Sequence, residues 1–191
     1  DDDIDLMMFR TDYRKLCEIA KYEFNSPYFF QNHQTDNVSY VIGKIRNSNT
    51  AAIDSFEDTS YNQGIFIDIW VLDDNSDGSI RNNSIREIKE LLQKIISSPQ
   101  EILDRINNGE QLLLSRTAID KLMKMDFKQK IVEYELFCEN HFGESSLLSY
   151  AFLPEGTRVY QRDWFRETVM LDFETIKIPA PIEYEKCLEV D

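Results

Sequence analysis

Aspartates stand at two points of the chain in settings that suit a metal ion. The sequence opens with Asp1-Asp2-Asp3-Ile4-Asp5, and because side chains alternate along a strand, Asp3 and Asp5 would lie on one face. Asp68 stands alone inside the apolar run from Ile65 to Leu72, where a carboxylate is costly unless it is paired or binds a metal. Three carboxylates from two neighbouring strands would form a site for Mg²⁺ or Mn²⁺ with room for water and substrate phosphates. The sequence therefore predicts Asp3, Asp5 and Asp68 as metal ligands and catalytic residues.

Each of these signals also has a structural explanation. An acidic run is often no more than solvated charge. A lone aspartate in an apolar strand can instead cap a loop or pair with an arginine. The chemical role of Asp68 is open as well, since it can complete the metal shell or accept the proton of an attacking hydroxyl.

Basic residues follow in the next predicted strand. Lys44 and Arg46 are two positions apart, so they point to the same face and are candidate ligands for phosphate oxygens. The alternative is that both are solvated charges on an edge strand. Arg10 and Asp12 are expected to fix the start of the first helix. The polar stretch from Asp73 to Ile80 is expected to be a turn rather than a calcium loop, because Ser84 stands where such a loop needs a Glu.

Hydrophobic periodicity supplies the elements that would position these residues. The pattern predicts a strand at Asp3–Met8 and a helix at Asp12–Phe24 capped by Thr11. Further strands are predicted at Tyr28–His33, Ser39–Asn47 and Ile65–Leu72, the last of them central and buried on both faces.

The middle of the chain is predicted to be helical. A capping box at Ser84 and Glu87 begins one helix, Ser98-Pro99 begins another, and a longer helix is expected from about Thr117 to Cys138. The tail returns to strands at Val169–Phe173 and Ile176–Ile178, and a last helix begins near Ile182. The predicted fold class is α+β, a mixed β-sheet that carries the acidic site, with a helical segment over about residues 80–150 of one domain spanning residues 1–191.

Composition limits the class of partner. The 191 residues carry 21 Lys and Arg against 35 Asp and Glu, a net charge of −14, which argues against unaided binding to nucleic acid or to an anionic membrane surface. No apolar run reaches the roughly 18 residues of a spanning helix, and no signal peptide is visible. Three widely spaced cysteines do not suggest a disulfide framework. We expect a cytoplasmic protein without a transmembrane segment, and peripheral contact with the inner face of a membrane is compatible with this. We also expect the sequence to be a fragment, trimmed at both ends.

Successive sequence blocks resemble the LicD family of the nucleotidyltransferase superfamily. The resemblance covers about residues 1–73 and 158–191 and is carried by their order and spacing. The blocks are Asp1-Asp2-Asp3-Ile4-Asp5-Leu6, Arg10-Thr11-Asp12-Tyr13, Lys44-Ile45-Arg46 with Thr50, Gly64-Ile65-Phe66-Ile67-Asp68-Ile69-Trp70-Val71-Leu72-Asp73, and a closing set at Trp164-Phe165-Arg166-Glu167-Thr168-Val169, Pro179-Ala180-Pro181 and Tyr184-Glu185-Lys186-Cys187-Leu188.

The resemblance implies a nucleotidyltransferase-like fold and a phosphotransferase activity. Such enzymes move phosphocholine from CDP-choline to a sugar hydroxyl of a bacterial surface glycan such as lipopolysaccharide or teichoic acid, and fukutin-type proteins share the domain. A choline headgroup would need aromatic faces, for which Trp70 and Trp164 are candidates, and Arg166 is a candidate for contact with donor or acceptor phosphates. The superfamily's small-residue turn before the acidic strand has no counterpart in this sequence.

Two other functions fit the same residues. A nucleotide-sugar glycosyltransferase can use Asp-x-Asp for its cation without needing Asp68. A non-catalytic binding module would keep the fold without the nucleotide pocket.

Overall fold

The computed structural model describes residues 5–53, 55–57, 59–152 and 158–190. Asp3, predicted as a metal ligand, lies outside the described residues. The described part is α+β, as the sequence predicts, and combines a mixed sheet with a helical segment.

A six-stranded sheet forms the centre of the described residues. The longest strand, β4, pairs with three others: parallel with β1, and antiparallel with β3 and β5. Strand β2 extends the sheet beyond β3, and β6 extends it beyond β5. The strands are β1 (Asp5–Phe9), β2 (Tyr28–Gln31), β3 (Gly43–Asn47), β4 (Ile65–Asn75), β5 (Leu147–Tyr150) and β6 (Val159–Gln161).

The remaining elements surround this sheet. Helix α1 packs on one face through Tyr13 and Ala20, and the helices of the middle segment form a separate apolar cluster. A hairpin and a short helix close the chain. The elements are α1 (Arg10–Glu23), α2 (Ile80–Ser97), α3 (Pro99–Asn107), α4 (Arg116–Met123), α5 (Phe127–Asn140), a 3₁₀ helix (Arg162–Phe165), β7 (Thr168–Phe173), β8 (Ile176–Pro181) and α6 (Tyr184–Val190).

The central strand is only partly buried. Ile69, Val71 and Leu72 are buried, as predicted, whereas Ile65 and Ile67 are 57% and 39% exposed. The apolar cluster under α1 includes Ile69 and Val71 and does not extend to the start of β4. The prediction of a strand buried on both faces is therefore wrong for its first residues.

Helix starts differ from the predicted ones at two places. Helix α1 begins at Arg10, directly after β1, and Thr11 lies within its first turn rather than capping it. Helix α2 is capped by Ser79, whose Oγ accepts from the backbone N–H of Asn82, so the pattern at Ser84 lies inside the helix. The Ser84 hydroxyl donates to the Ile80 carbonyl instead, at 3.1 Å.

The long helix predicted over residues 117–138 is two helices. Helix α4 ends at Met123 and α5 begins at Phe127. Asp126 caps α5 through a complete capping box with Gln129. The predicted start at Pro99 is confirmed for α3, and the closing hairpin and last helix are present as expected. None of the helices in the described ranges is both long and apolar enough to cross a membrane.

Candidate metal and phosphate site

Strand register brings four polar residues into one row across the sheet. Gln31 is the partner of Lys44, Lys44 of Asp68, and Asp68 of Asp5, across strands β2, β3, β4 and β1. Directly paired residues share a face, and neighbouring strands lie about 5 Å apart. Residues far apart in the chain thus form one polar line.

The Asp68 carboxylate is paired with Lys44. The Lys44 ammonium donates to Asp68 Oδ1 at 2.6 Å, and the two side chains are only 10% and 14% exposed. This pair offsets the cost of a carboxylate inside an apolar strand. The structural alternative for Asp68, a cationic partner, is therefore realised with a lysine instead of an arginine.

Asp5 lies beside Asp68 and is exposed. The indole N–H of Trp70 donates to Asp5 Oδ1 at 3.1 Å, which fixes one oxygen of the carboxylate. Within the described ranges no group of three His, Cys, Asp or Glu side chains could hold a metal. Two carboxylates still suit Mg²⁺, because this ion commonly binds one or two protein carboxylates together with waters and substrate phosphates.

Two aromatic rings surround the Lys44 ammonium. Its Nζ lies 3.5 Å from the centroid of the Phe66 ring and 5.4 Å from that of Tyr40. The negative face of an aromatic ring attracts a cation, most strongly where water is excluded. Carboxylate and rings together hold the ammonium at this point of the sheet.

Arg46 shares the face of Lys44, as predicted, and is buried. Its Nε donates to Gln31 Oε1 at 2.5 Å and its Nη1 donates to the Gly64 carbonyl at 2.7 Å. The same guanidinium lies 4.7 Å from the Phe66 centroid. Because β3 lies between β2 and β4, the alternative of solvated charges on an edge strand is wrong for both basic residues.

The remaining predicted residues extend from this row toward the last helix. Trp70 packs 5.2 Å from the Tyr150 ring, and Trp70 and Trp164 border the same apolar cluster around Leu72 and Tyr160. Arg166 bonds to Asp163 and Glu183, which belong to the 3₁₀ helix and the turn before α6. The structure thus brings Asp5, Lys44, Asp68 and Trp70 together, with Trp164 at the far border of an adjoining cluster.

A buried ionic network lies on the opposite face of the sheet, and the sequence reading did not single it out as a site. Arg10 donates to both oxygens of Asp73, at 2.7 and 2.8 Å, and its Nη1 lies 3.4 Å from Glu135. Burial would raise the pKa of Asp73, but the charge and hydrogen bonds of Arg10 outweigh it and lower that pKa. The signal in the sequence is Asp73 at the end of an apolar strand, whereas its partner is 63 residues away.

Glu135 and His33 meet at the edge of this network, 3.6 Å apart. Burial raises the pKa of Glu135 to about 7, in spite of the nearby Arg10 charge. Burial, helped by the charges of Lys128 and Arg10, lowers the pKa of His33 to about 4. Neither ring nitrogen of His33 has a hydrogen-bond partner. At neutral pH His33 is therefore uncharged.

The neighbouring carboxylate Asp74 has a structural role. It accepts from the backbone N–H groups of Gly143, Glu144 and Ser145 and pairs with Arg162. These contacts tie the turn after α5 to the central strand. The turn predicted from Asp73 onward is shorter than expected, because Asp73 to Asn75 still belong to β4 and α2 begins at Ile80, which leaves residues 76–79 between them.

One sizeable cavity of the described residues lies away from the acidic row. A pocket of about 580 Å³ lies between α1 and β2, lined by Cys17, Phe24 and Phe29 among others. Asp5, Lys44 and Asp68 do not line it. Its volume alone suits a small ligand, but the chemistry-bearing residues lie elsewhere.

Comparison with known proteins identifies no matching family model, no matching curated protein and no matching solved structure. The resemblance to the LicD family therefore rests on the sequence blocks alone.

Proposed function

We propose that this protein transfers phosphocholine, or a related phosphate-linked headgroup, from a CDP-linked donor to a sugar hydroxyl of a bacterial cell-surface glycan such as lipopolysaccharide or teichoic acid, with Mg²⁺ or Mn²⁺ as cofactor. We further propose that the reaction takes place in the cytoplasm, with the protein at the inner face of the membrane.

The observation that supports this most directly is the pairing of Asp5 with Asp68. Two aspartates from separate sequence blocks are direct partners on adjacent parallel strands, and Lys44 is bonded to one of them. Carboxylates that hold a cation, next to a basic side chain that can meet phosphate, are what cleavage of a diphosphate requires. Asp5, Lys44 and Asp68 come from three different LicD-like blocks and lie in β1, β3 and β4.

The chemistry proposed is an in-line displacement at phosphorus. The sugar hydroxyl oxygen bonds to the phosphorus that carries choline, the bond from that phosphorus to the bridging oxygen breaks, and CMP leaves with the electron pair. A bound Mg²⁺ would neutralise the charge that develops on the diphosphate. Asp5 and Asp68 would hold the ion, Lys44 would bind a phosphate oxygen, and the hydroxyl proton would pass to a carboxylate, for which Asp68 is the candidate.

The test is release of CMP from CDP-choline by the full-length protein, with and without Mg²⁺. We expect metal-dependent release and a loss of about a hundredfold or more in Asp68→Asn and in Asp5→Asn, because each removes a charge at the reacting phosphate. Asp172→Asn is the matched control, since Asp172 is an exposed aspartate of the β7–β8 hairpin and pairs with Lys177.

Three results would count against the proposal. Full activity of Asp68→Asn with a sugar nucleotide would favour a glycosyltransferase that relies on Asp-x-Asp. Release that is independent of metal would overturn the cation site. Absence of metal-dependent heat on calorimetric titration with CDP-choline would favour a binding module.

A further inference from the structure

We propose that Lys44 and the divalent cation compete for the Asp68 carboxylate, so that binding of the cation releases the Lys44 ammonium toward the phosphates of the donor. This inference rests on the proposed function. It adds a regulatory step to the site, in which Lys44 changes partner in response to the metal.

The geometry sets up the competition. The Lys44 ammonium bonds to Asp68 Oδ1 at 2.6 Å, and both side chains are mostly shielded from water. A divalent ion bound by Asp68 and Asp5 would lie within a few ångströms of that ammonium. Two cations at this separation repel strongly where water does not screen them. The Asp68 carboxylate therefore binds the Lys44 ammonium less strongly when it also binds the divalent cation.

The surroundings of Lys44 allow its ammonium to move away from Asp68. Its stem is a flexible four-carbon chain, unlike the rigid guanidinium of Arg46. The Phe66 ring that attracts the ammonium also lies 4.7 Å from the Arg46 guanidinium, so the ring keeps a cation when Lys44 moves. Arg46 itself is fixed by Gln31 and the Gly64 carbonyl. The mobile cation of the pair is thus Lys44.

A permanent structural salt bridge is the competing explanation. In that case the cation would bind through Asp5 and the free oxygen of Asp68 without disturbing Lys44, and removal of Lys44 would mainly destabilise the fold. Metal affinity and lysine accessibility separate the two explanations, and neither measurement depends on turnover.

The experiment measures Mn²⁺ affinity of the full chain by electron paramagnetic resonance of the free ion. We expect Lys44→Met to bind Mn²⁺ about tenfold more tightly or better. A positive charge within about 4–6 Å of an aspartate weakens its binding of a proton by about one to three logarithmic units, and we expect its binding of a divalent cation to be weakened in the same sense. Lys44→Arg keeps a competing charge and should stay within about threefold of the wild type. Lys177→Met, which removes an exposed lysine at the same 2.6 Å distance from an aspartate, should bind as the wild type does.

A second measurement follows Lys44 itself in the unaltered protein. Reductive methylation read by mass spectrometry should modify Lys44 faster at saturating Mg²⁺, while the modification of Lys177 should not change. Asp68→Asn should raise the rate at Lys44 without Mg²⁺.

The outcomes separate this inference from the proposed function. Equal Mn²⁺ affinity of wild type and Lys44→Met, or a methylation rate at Lys44 that Mg²⁺ leaves unchanged, would overturn the exchange and leave the transferase proposal standing. Tighter Mn²⁺ binding by Lys44→Met, together with no release of CMP from CDP-linked donors by the wild type, would support the exchange and overturn the proposed reaction. If Mn²⁺ binds neither protein, both the site and the exchange are wrong.

Discussion

At the scale of single residues, the Arg10–Asp73 ion pair is the most consequential contact outside the candidate site. Their side chains are 3% and 1% exposed, and the Tyr134 hydroxyl also donates to Asp73, at 3.3 Å. The pair neutralises two buried charges with good geometry. Replacement of only one of the two residues by a neutral one would leave the charge of the other buried and unpaired.

We therefore expect Asp73→Asn to lower the free energy of unfolding by about 3 kcal/mol or more. Asp172→Asn removes a carboxylate from an exposed ion pair, so it should change stability by less than about 1 kcal/mol. Urea unfolding at pH 7 measures both. A loss below 1 kcal/mol in Asp73→Asn would show that Arg10 finds another partner, for which Glu135 is the nearest candidate.

Residue types predicted the acidic and basic candidates but not their partners. A carboxylate in the apolar run around Asp68 is visible from the sequence, as is the alternation of Lys44 and Arg46. The bond between Lys44 and Asp68 depends on the register of β3 against β4. A short hairpin turn would fix that register, but the long loop between these two strands does not reveal it in the sequence. The burial of Arg46 depends in addition on β2, which pairs on the other side of β3.

At the scale of elements, the break between α4 and α5 depends on one capping residue. Asp126 accepts from the Gln129 backbone N–H at 2.8 Å, and the Gln129 side chain accepts from the Asp126 backbone N–H at 3.1 Å. Helical periodicity runs through this break, which is why the sequence pattern predicted one continuous helix. The cap determines where α5 begins.

Asp126→Ala should lower the free energy of unfolding by about 1 kcal/mol, because the backbone N–H of Gln129 loses its acceptor at the helix start. Asp120→Ala is the comparison within α4. Asp120 makes an exposed i,i+4 pair with Arg116, and its loss should cost about 0.5 kcal/mol or less. Thermal unfolding followed by circular dichroism measures the two variants. Equal effects would mean that the cap is dispensable and that packing alone sets the helix start.

Element types were easier to predict than element ends. Strong periodicity and the Pro99 signal identified most of the helices and strands of the described chain. The start of α1 was missed, because Arg10 is drawn into the helix by its tertiary bond to Asp73 rather than by a cap. The exposure of Ile65 could not be read from β4 alone, since it depends on how far α1 covers the sheet.

At the scale of the whole molecule, Glu135 connects the helical segment with the start of α1 through Arg10 and with the turn after β2 through His33. The pKa of Glu135 is about 7 in the folded chain and 4.5 as the ordinary value, so the folded state binds more protons between these values. Its contribution to stability is present below about pH 4.5 and is lost as pH rises through about 7. His33 acts in the opposite sense, because its pKa is lowered from 6.5 to about 4. Its contribution to the stability of the folded state is present above about pH 6.5 and is lost as pH falls through about 4.

Glu135→Gln should consequently gain stability relative to the wild type as pH rises. We expect the difference in free energy of unfolding, variant minus wild type, to increase by about 3 kcal/mol from pH 4.5 to pH 8. Glu133→Gln, which alters another glutamate of α5, is the control. A difference that is constant with pH would mean that the pKa of Glu135 is the same in the folded and unfolded states, so that Arg10 fully offsets the effect of burial.

The parallel pairing of β1 with β4 has a consequence for changes in chain length. Asp5 and Arg10 are five positions apart, and so are their respective partners Asp68 and Asp73. The separation along the chain is thus the same in both segments. The pairing of Asp5 with Asp68 lies on one face of the sheet and the Arg10–Asp73 ion pair on the other. Insertion or deletion of one residue in either strand would turn one contact to the wrong face, because side chains alternate. Only an insertion or deletion of equal length in both strands would keep both contacts. We therefore expect the five-residue separation to tolerate fewer changes in length than the intervening residues tolerate substitutions.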